Sequence, residues 1–307
     1  MVSRGARAIP GLRSSRGKSV HRLALSPSCW GVSDSRDAGH QLDPERVLSE
    51  AAAVGEGAIT AGPPGFLPDR SDQAKALLRR HRLNVVAGHV RAVLHHHDIR
   101  GPELAHIDGH ANWMSVLGAD TLVLSAIPDR TLKSAHGMVL SNAEWAHLLN
   151  LVGSVEHVTA RHRMRVAVQP RFDSTIQGPE DIERLLVGSE AGLCLDIAHL
   201  VLAGADPIEV LELGGGRIRH VHLNDVDPQL AGQVRDGSIE YGEAVELGLY
   251  KPLGEGGAPV VQVIEALRSA SYRGWFTLEQ ETRLASPEDR PLGRISRSLE
   301  FLLPLLS

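Results

Sequence analysis

Cysteine and aromatic residues are scarce in this 307-residue chain: there are two cysteines, and aromatics make up 4%. Cys29 and Cys194 do not amount to the disulfide framework of a small secreted domain. Cys194 sits inside an apolar run, where a free thiol behaves as a small hydrophobe, so a reducing, cytoplasmic setting is expected. No apolar run approaches the roughly 18 residues a spanning helix requires, so no membrane association is expected. No excess of positive charge exists either, the net charge being −5 with histidine neutral, which weighs against a nucleic-acid partner. The N-terminal stretch MVSRGARAIPGLRSSRGKSVHR lacks the apolar segment of a secretory signal. Residues 1–20 read as a mobile basic tail; a transit-type peptide, or a start codon assigned too far upstream, are the alternatives. Residues 21–307 read as one domain, and 42% hydrophobic residues supply a large core.

What is present is an alternation. Short apolar runs at 22–28, 57–60, 83–89, 120–126, 165–170, 192–197, 218–224 and 275–281 read as strands. Amphipathic stretches at 43–54, 69–82, 101–118, 141–162, 259–271 and 288–303 read as helices, with shorter ones at 179–187 and 206–214. Proline at first-turn positions, as in DPERV, GPED and ADPIEV, marks helix starts. Eight strand–helix units in a chain of this length fit an α/β fold of the (β/α)8 TIM-barrel type, as a single domain. A doubly wound sheet is the runner-up, but SPSCWGVSD after the first strand is not a Gly-rich phosphate turn.

Active sites of such barrels form where the strands end. Strands five to eight end at Gln169, Asp196, His222 and Glu279. Two residues earlier on the same face lie Ala167, Cys194, His220 and Thr277, mostly small. The opposite parity carries Val166, Val168, Leu193, Leu195, Val221, Leu223, Phe276 and Leu278, an apolar face for surrounding helices. The polar residues therefore point into the barrel. An isolated buried carboxylate is costly, and a divalent metal is what pairs with two carboxylates, an imidazole and an amide oxygen at one point. Gln169, Asp196, His222 and Glu279 are the candidate metal ligands. The mixed oxygen and nitrogen donors favour Mn²⁺ or Co²⁺, with Mg²⁺ and Zn²⁺ also admitted.

The segments LCLDIAHLVLAGADP, HVHLND, YGEAVELGLYKPLGEGG and SYRGWFTLEQE, with PSCW and GFLPD nearer the start, resemble the xylose-isomerase-like TIM-barrel superfamily of sugar isomerases and epimerases. The branch they most resemble is inosose dehydratase-like, and the likeness runs from about residue 22 to 303. The resemblance implies a metal held at Asp196, His222 and Glu279, and chemistry that begins with removal of a proton next to a carbonyl, the metal acting as a Lewis acid. It also implies a substrate contact at His199, in a D-x-x-H pattern. The chain departs from the family where QPR (Gln169–Arg171) replaces the usual H-P-H or Glu, at Thr60 and Gln177 in place of Glu, and at Asn224 in HLND in place of HLKD.

Other candidates follow from position. Glu281, with the parity of Glu279, is a second base or a loop charge. Arg171 suits an anionic or hydroxyl-rich group. Trp30, at the end of strand one, suits stacking on a sugar ring. Within LHHHD, consecutive residues face opposite sides, so the three histidines cannot share one ion; His95 or His97 is placed near the pocket, with His95 counted among the substrate-binding candidates. Asn224 is counted with the substrate-binding group, Asp225 with the loop beside His222. The first reading is a metal-dependent carbohydrate dehydratase, isomerase or epimerase acting on a sugar or cyclitol, with Glu279, His199 and Glu281 as the catalytic group. A homodimer or homotetramer is expected by analogy with that branch. The second is a non-catalytic sugar-binding or partner-subunit barrel with a relic metal site, motivated by Gln169, Thr60 and Asn224. A DNA-repair nuclease of the same superfamily is a third, disfavoured by the charge balance.

Overall fold

The computed structural model describes residues 22–33, 39–129 and 139–307; the expected tail, 1–20, lies outside them. In chain order the elements are β1 (Arg22–Leu25), a 3-10 turn (Pro27–Trp30), α1 (Pro44–Val54), β2 (Ala58–Thr60), α2 (Ser71–His81), β3 (Asn84–Ala92), α3 (Arg100–Leu117), β4 (Thr121–Ala126), α4 (Asn142–Ala160), β5 (Arg165–Val168), α5 (Pro179–Gly188), β6 (Gly192–Asp196) and α6 (Ile197–Leu202). They continue with α7 (Pro207–Gly214), β7 (Ile218–Leu223), β8 (Asp225–Val226), α8 (Pro228–Arg235), α9 (Tyr241–Glu246), β9 (Tyr250–Lys251), α10 (Val260–Ser269), β10 (Trp275–Leu278) and α11 (Leu292–Leu306). Strands β1 to β7 and β10 close into a barrel in the order β1-β10-β7-β6-β5-β4-β3-β2. Every pairing around it is parallel.

The expected alternation is realised, and each expected helix is present within a few residues of its expected bounds. Local chemistry sets the starts. Asp43 accepts the N–H of Arg46 ahead of Pro44, Ser141 and Glu144 form a reciprocal capping box, and Asp206 accepts the N–H of Ile208, so orphan first-turn donors are satisfied. The outward strand residues Val166, Val168, Leu193, Leu195, Val221, Leu223, Phe276 and Leu278 join the main core between strands and helices. Inside the barrel the filling is small, with Val123, Ala167 and Cys194 packed together, and His220 Nε2 2.9 Å from Thr277 Oγ1. Gly88 on β3 lets α3 come close, because a Cβ there would lie 1.8 Å from Met114 Sδ.

Two local differences from the sequence reading matter. The first strand stops at Leu25, because Ser26 caps a 3-10 turn that Pro27 starts. The segment 225–259 is not plain loop: β8 and β9 pair antiparallel, and with α8 and α9 they build a satellite core around Leu202, Val226, Val234, Ala244, Leu249 and Tyr250.

Candidate active site

The C-terminal ends of β6, β7 and β10 bring Asp196, His222 and Glu279 together. Asp196 lies opposite His222 in the register. Thr277 is the residue opposite His222 on β10, so Glu279 comes from one pleat further along, as strand tilt in a barrel requires. His222 Nδ1 is 3.0 Å from Asp196 Oδ2 and 2.6 Å from Glu279 Oε2. One ligand atom from each residue lies within 4.8 Å of the others. Glu279 also approaches the Ser26 hydroxyl, at 3.5 Å.

Asp196 is wholly buried and plays two parts. It caps α6 by accepting the backbone N–H of His199 at 3.1 Å, and it faces the cluster. Its other partners are Asn224 Nδ2 at 2.9 Å and Gln169 Nε2 at 2.7 Å. Burial pushes its acidity down, but the His199 and His222 rings and the Asn224 amide hold the carboxyl well below the usual range. Gln169, at the end of β5, presents its amide nitrogen to the cluster; its oxygen accepts from the Ser125 hydroxyl at 2.9 Å. Ser125 in turn lies 2.8 Å from His89 Nε2. Burial, and then the charge of Arg171, lower His89 well below the ordinary imidazole range, so the ring is neutral.

The cluster opens on a cavity of about 620 Å³ lined by Ser26, His89, Gln169, Arg171, His222, Tyr241, Glu279 and Glu281, among others. That volume is typical of a small-molecule site. Arg171 donates to Glu281 Oε1 at 3.0 Å, and Tyr241, brought in by α9, donates to Glu281 Oε2 at 2.8 Å. Burial pushes the Glu281 carboxyl up, but Arg171, with His199 and Tyr241, brings it down to about 2. Glu281 thereby holds Arg171 and Tyr241 at the cavity wall.

Four expected pocket residues are not among those lining the cavity. Trp30 ends the 3-10 turn, its ring is wholly buried in the helix layer, and its indole N–H donates to Glu50 at 2.9 Å. His95 is buried beside His96, with ring centroids 4.4 Å apart. Asn224 stands behind Asp196, its Oδ1 accepting the Ala198 N–H at 2.6 Å. His199 is buried beneath the site, its Nε2 3.7 Å from Glu281. Sequence reasoning missed His89, Ser125 and Tyr241. Tyr241 opens the segment YGEAVELGLYKPLGEGG that carries part of the resemblance, but its position alone gives no role.

The residues fit a divalent metal. The donor set offers two hard carboxylates and one imidazole, and a bound cation would give the buried Asp196 counter-charge.

Residues 48–305 match the model of the xylose isomerase-like TIM barrel family; the chain belongs to that family. It is 27% identical over 277 residues to an inosose dehydratase of Geobacillus thermodenitrificans, covering 87% of this chain and 92% of that protein. Among solved structures it is similar to the IolI protein with a bound zinc atom, at a TM-score of 0.66 and 15% identity, covering 93% of this chain and 98% of the other. It is also similar to D-allulose 3-epimerase from Methylomonas sp. in complex with D-allulose, at a TM-score of 0.66 and 14% identity, covering 92% of this chain and 96% of the other.

Proposed function

We propose that the chain is a metal-dependent sugar or cyclitol lyase or isomerase of the inosose dehydratase kind. The observation that carries this is the meeting of Asp196, His222 and Glu279 at the mouth of the barrel, on a cavity lined by hydroxyl, amide and guanidinium groups. The likeness to an inosose dehydratase supports the substrate class, and the zinc in IolI supports the cofactor class. Asp196, His222 and Glu279 would hold a divalent ion, which when bound supplies Lewis-acid polarisation of a carbonyl. Glu279 removes the proton next to that carbonyl. It is the one carboxylate of the cluster that lines the cavity, whereas Glu281 is ion-paired to Arg171 and takes the Tyr241 hydroxyl. A positioned base of this kind contributes about 10²–10⁴-fold. Arg171 and Tyr241, anchored on Glu281, are placed to bind hydroxyls. No carboxylate stands at the Gln169 position to take part in a two-base epimerisation, which favours elimination or one-base isomerisation.

The test is solvent exchange. Protein with Mn²⁺ and a panel of keto-cyclitols and keto-sugars in D₂O is followed by NMR. Deuterium enters a substrate carbon, or water is lost from the substrate, with the wild type and not with Glu279→Gln. Binding without exchange, repeated with Co²⁺, Mg²⁺ and Zn²⁺, would instead establish the non-catalytic sugar-binding reading that Gln169 and Thr60 motivate.

A further inference from the structure

We infer that Gln169 is a hydrogen-bond donor to the Asp196–His222–Glu279 site and not a fourth ligand, its amide held in that sense by a chain that begins at His89 across the barrel. The inference rests on the metal-site reading above and deepens it.

The direction of the chain follows from groups whose roles are fixed. Asp196 Oδ1 takes the backbone N–H of His199 and the Asn224 amide. Asn224 cannot be turned around, because its own oxygen accepts the Ala198 N–H. The carboxylate is therefore an acceptor on that side, and its other oxygen lies 2.7 Å from the Gln169 amide. Two oxygens at that separation repel, so Gln169 presents N–H there. Its Oε1 then faces Ser125 at 2.9 Å. A carbonyl oxygen only accepts, so Ser125 spends its single proton on Gln169. Ser125 Oγ must in turn accept from His89 Nε2, 2.8 Å away. His89 thus carries its proton on Nε2 and leaves Nδ1 bare. The donors run one way from β3 through β4 and the end of β5 to β6, four neighbouring strands.

Ligation through the Gln169 oxygen would reverse every link. The amide N–H would turn to Ser125, the Ser125 hydroxyl to His89 Nε2, and the His89 proton would sit on Nδ1. The forward sense keeps Asp196 Oδ2 paired and leaves three ionisable protein ligands, a count that keeps a position open for chemistry. The two carboxylates balance the charge of a divalent ion without the amide. It also leaves an N–H donor beside the place where oxygen charge develops, the kind of group that stabilises a transition state.

The tautomer of His89 reports which sense holds. The ring nitrogens are observed by heteronuclear NMR in full-length protein, before and after dialysis against Zn²⁺, with bound zinc counted by mass spectrometry and His89 assigned through His89→Gln. The expected result is uptake of an equivalent of zinc with His89 in the Nε2–H tautomer throughout, and a mixture of tautomers in Ser125→Ala. Zinc uptake accompanied by a switch to Nδ1–H would overturn the inference and make Gln169 a ligand. A single Nε2–H tautomer surviving in Ser125→Ala would overturn the chain. Failure to take up zinc would count against the metal reading alone: the metal-free tautomer then decides, Nε2–H supporting the donor chain and Nδ1–H overturning it.

Discussion

Asn224 is not among the residues lining the cavity, but two buried hydrogen bonds of the site run through its side chain, one to Asp196 and one from Ala198. Asn224→Ala strands a buried N–H and removes a donor from a buried carboxylate, at about 1–3 kcal/mol for each unsatisfied group. The expected outcome is a loss of about 2–4 kcal/mol in urea unfolding, together with weaker zinc uptake. A loss under about 0.5 kcal/mol, the usual range for an inert surface site, would mean that Asp196 does not depend on this amide. The thiols make a second residue-scale prediction. Burial, and then the Glu279 charge, push Cys29 up to about 12, and Cys194 is equally buried. Neither reacts with a disulfide reagent at pH 8 in native protein, and both react in denaturant; a fast native thiol would contradict the packing. At this scale the sequence shows Asp196, His222 and Glu279 through the alternation of strand faces, because parity is local. It hides His89 and Ser125, whose link depends on the β3–β4 register. It misplaces Trp30 because the 3-10 turn after Leu25 redirects the chain by one short element.

The longer barrel helices announce themselves by their amphipathic period, and α1, α4 and α7 also by a start signal. The insertion between β7 and α10 does not. Its helices α8 and α9 have 8 and 6 residues, too short to be stable without tertiary packing, and their apolar faces pack in the satellite core with α6, β8 and β9. One buried residue closes the base of this insertion, joining its two ends. Asp225 accepts the backbone N–H groups of Val226, Gly254, Gly256 and Ala258 at 2.9–3.0 Å. A Cβ on Gly256 would lie 2.2 Å from the Asp225 carboxylate, so the glycine is required for the turn to reach it. Asp225→Asn keeps the volume but puts an N–H₂ where a carboxylate oxygen received N–H groups. The expected result is faster proteolytic nicking between residues 252 and 258 and a raised KM, because α9 delivers Tyr241 to Glu281, with the far-ultraviolet signal of the barrel retained. Unchanged proteolysis would show that the satellite core holds the insertion by itself.

Across the whole molecule, the cluster joins three neighbouring strands of one closed sheet, β6, β7 and β10. A ligand held there binds the folded barrel and has no matching site in the unfolded chain, since Asp196 and Glu279 are separated by 83 positions in sequence. Its binding energy is therefore added to folding stability. At a hundredfold excess over Kd that amounts to about 2.7 kcal/mol, which for a chain of this size corresponds to a rise in Tm of roughly 4–5 °C. The alternation of strands and helices made the barrel legible, and strand parity made its mouth legible. The barrel's closure, which decides that these three groups meet, belongs to the sheet as a whole. Thermal unfolding with and without Zn²⁺ measures that link directly. The expected outcome is one cooperative transition that moves up with zinc in wild type and stays still in Glu279→Gln, a substitution that removes the ligand charge while keeping its shape. A Tm indifferent to zinc in wild type would mean that the three side chains satisfy one another as found, with His222 as the bridging group between two carboxylates.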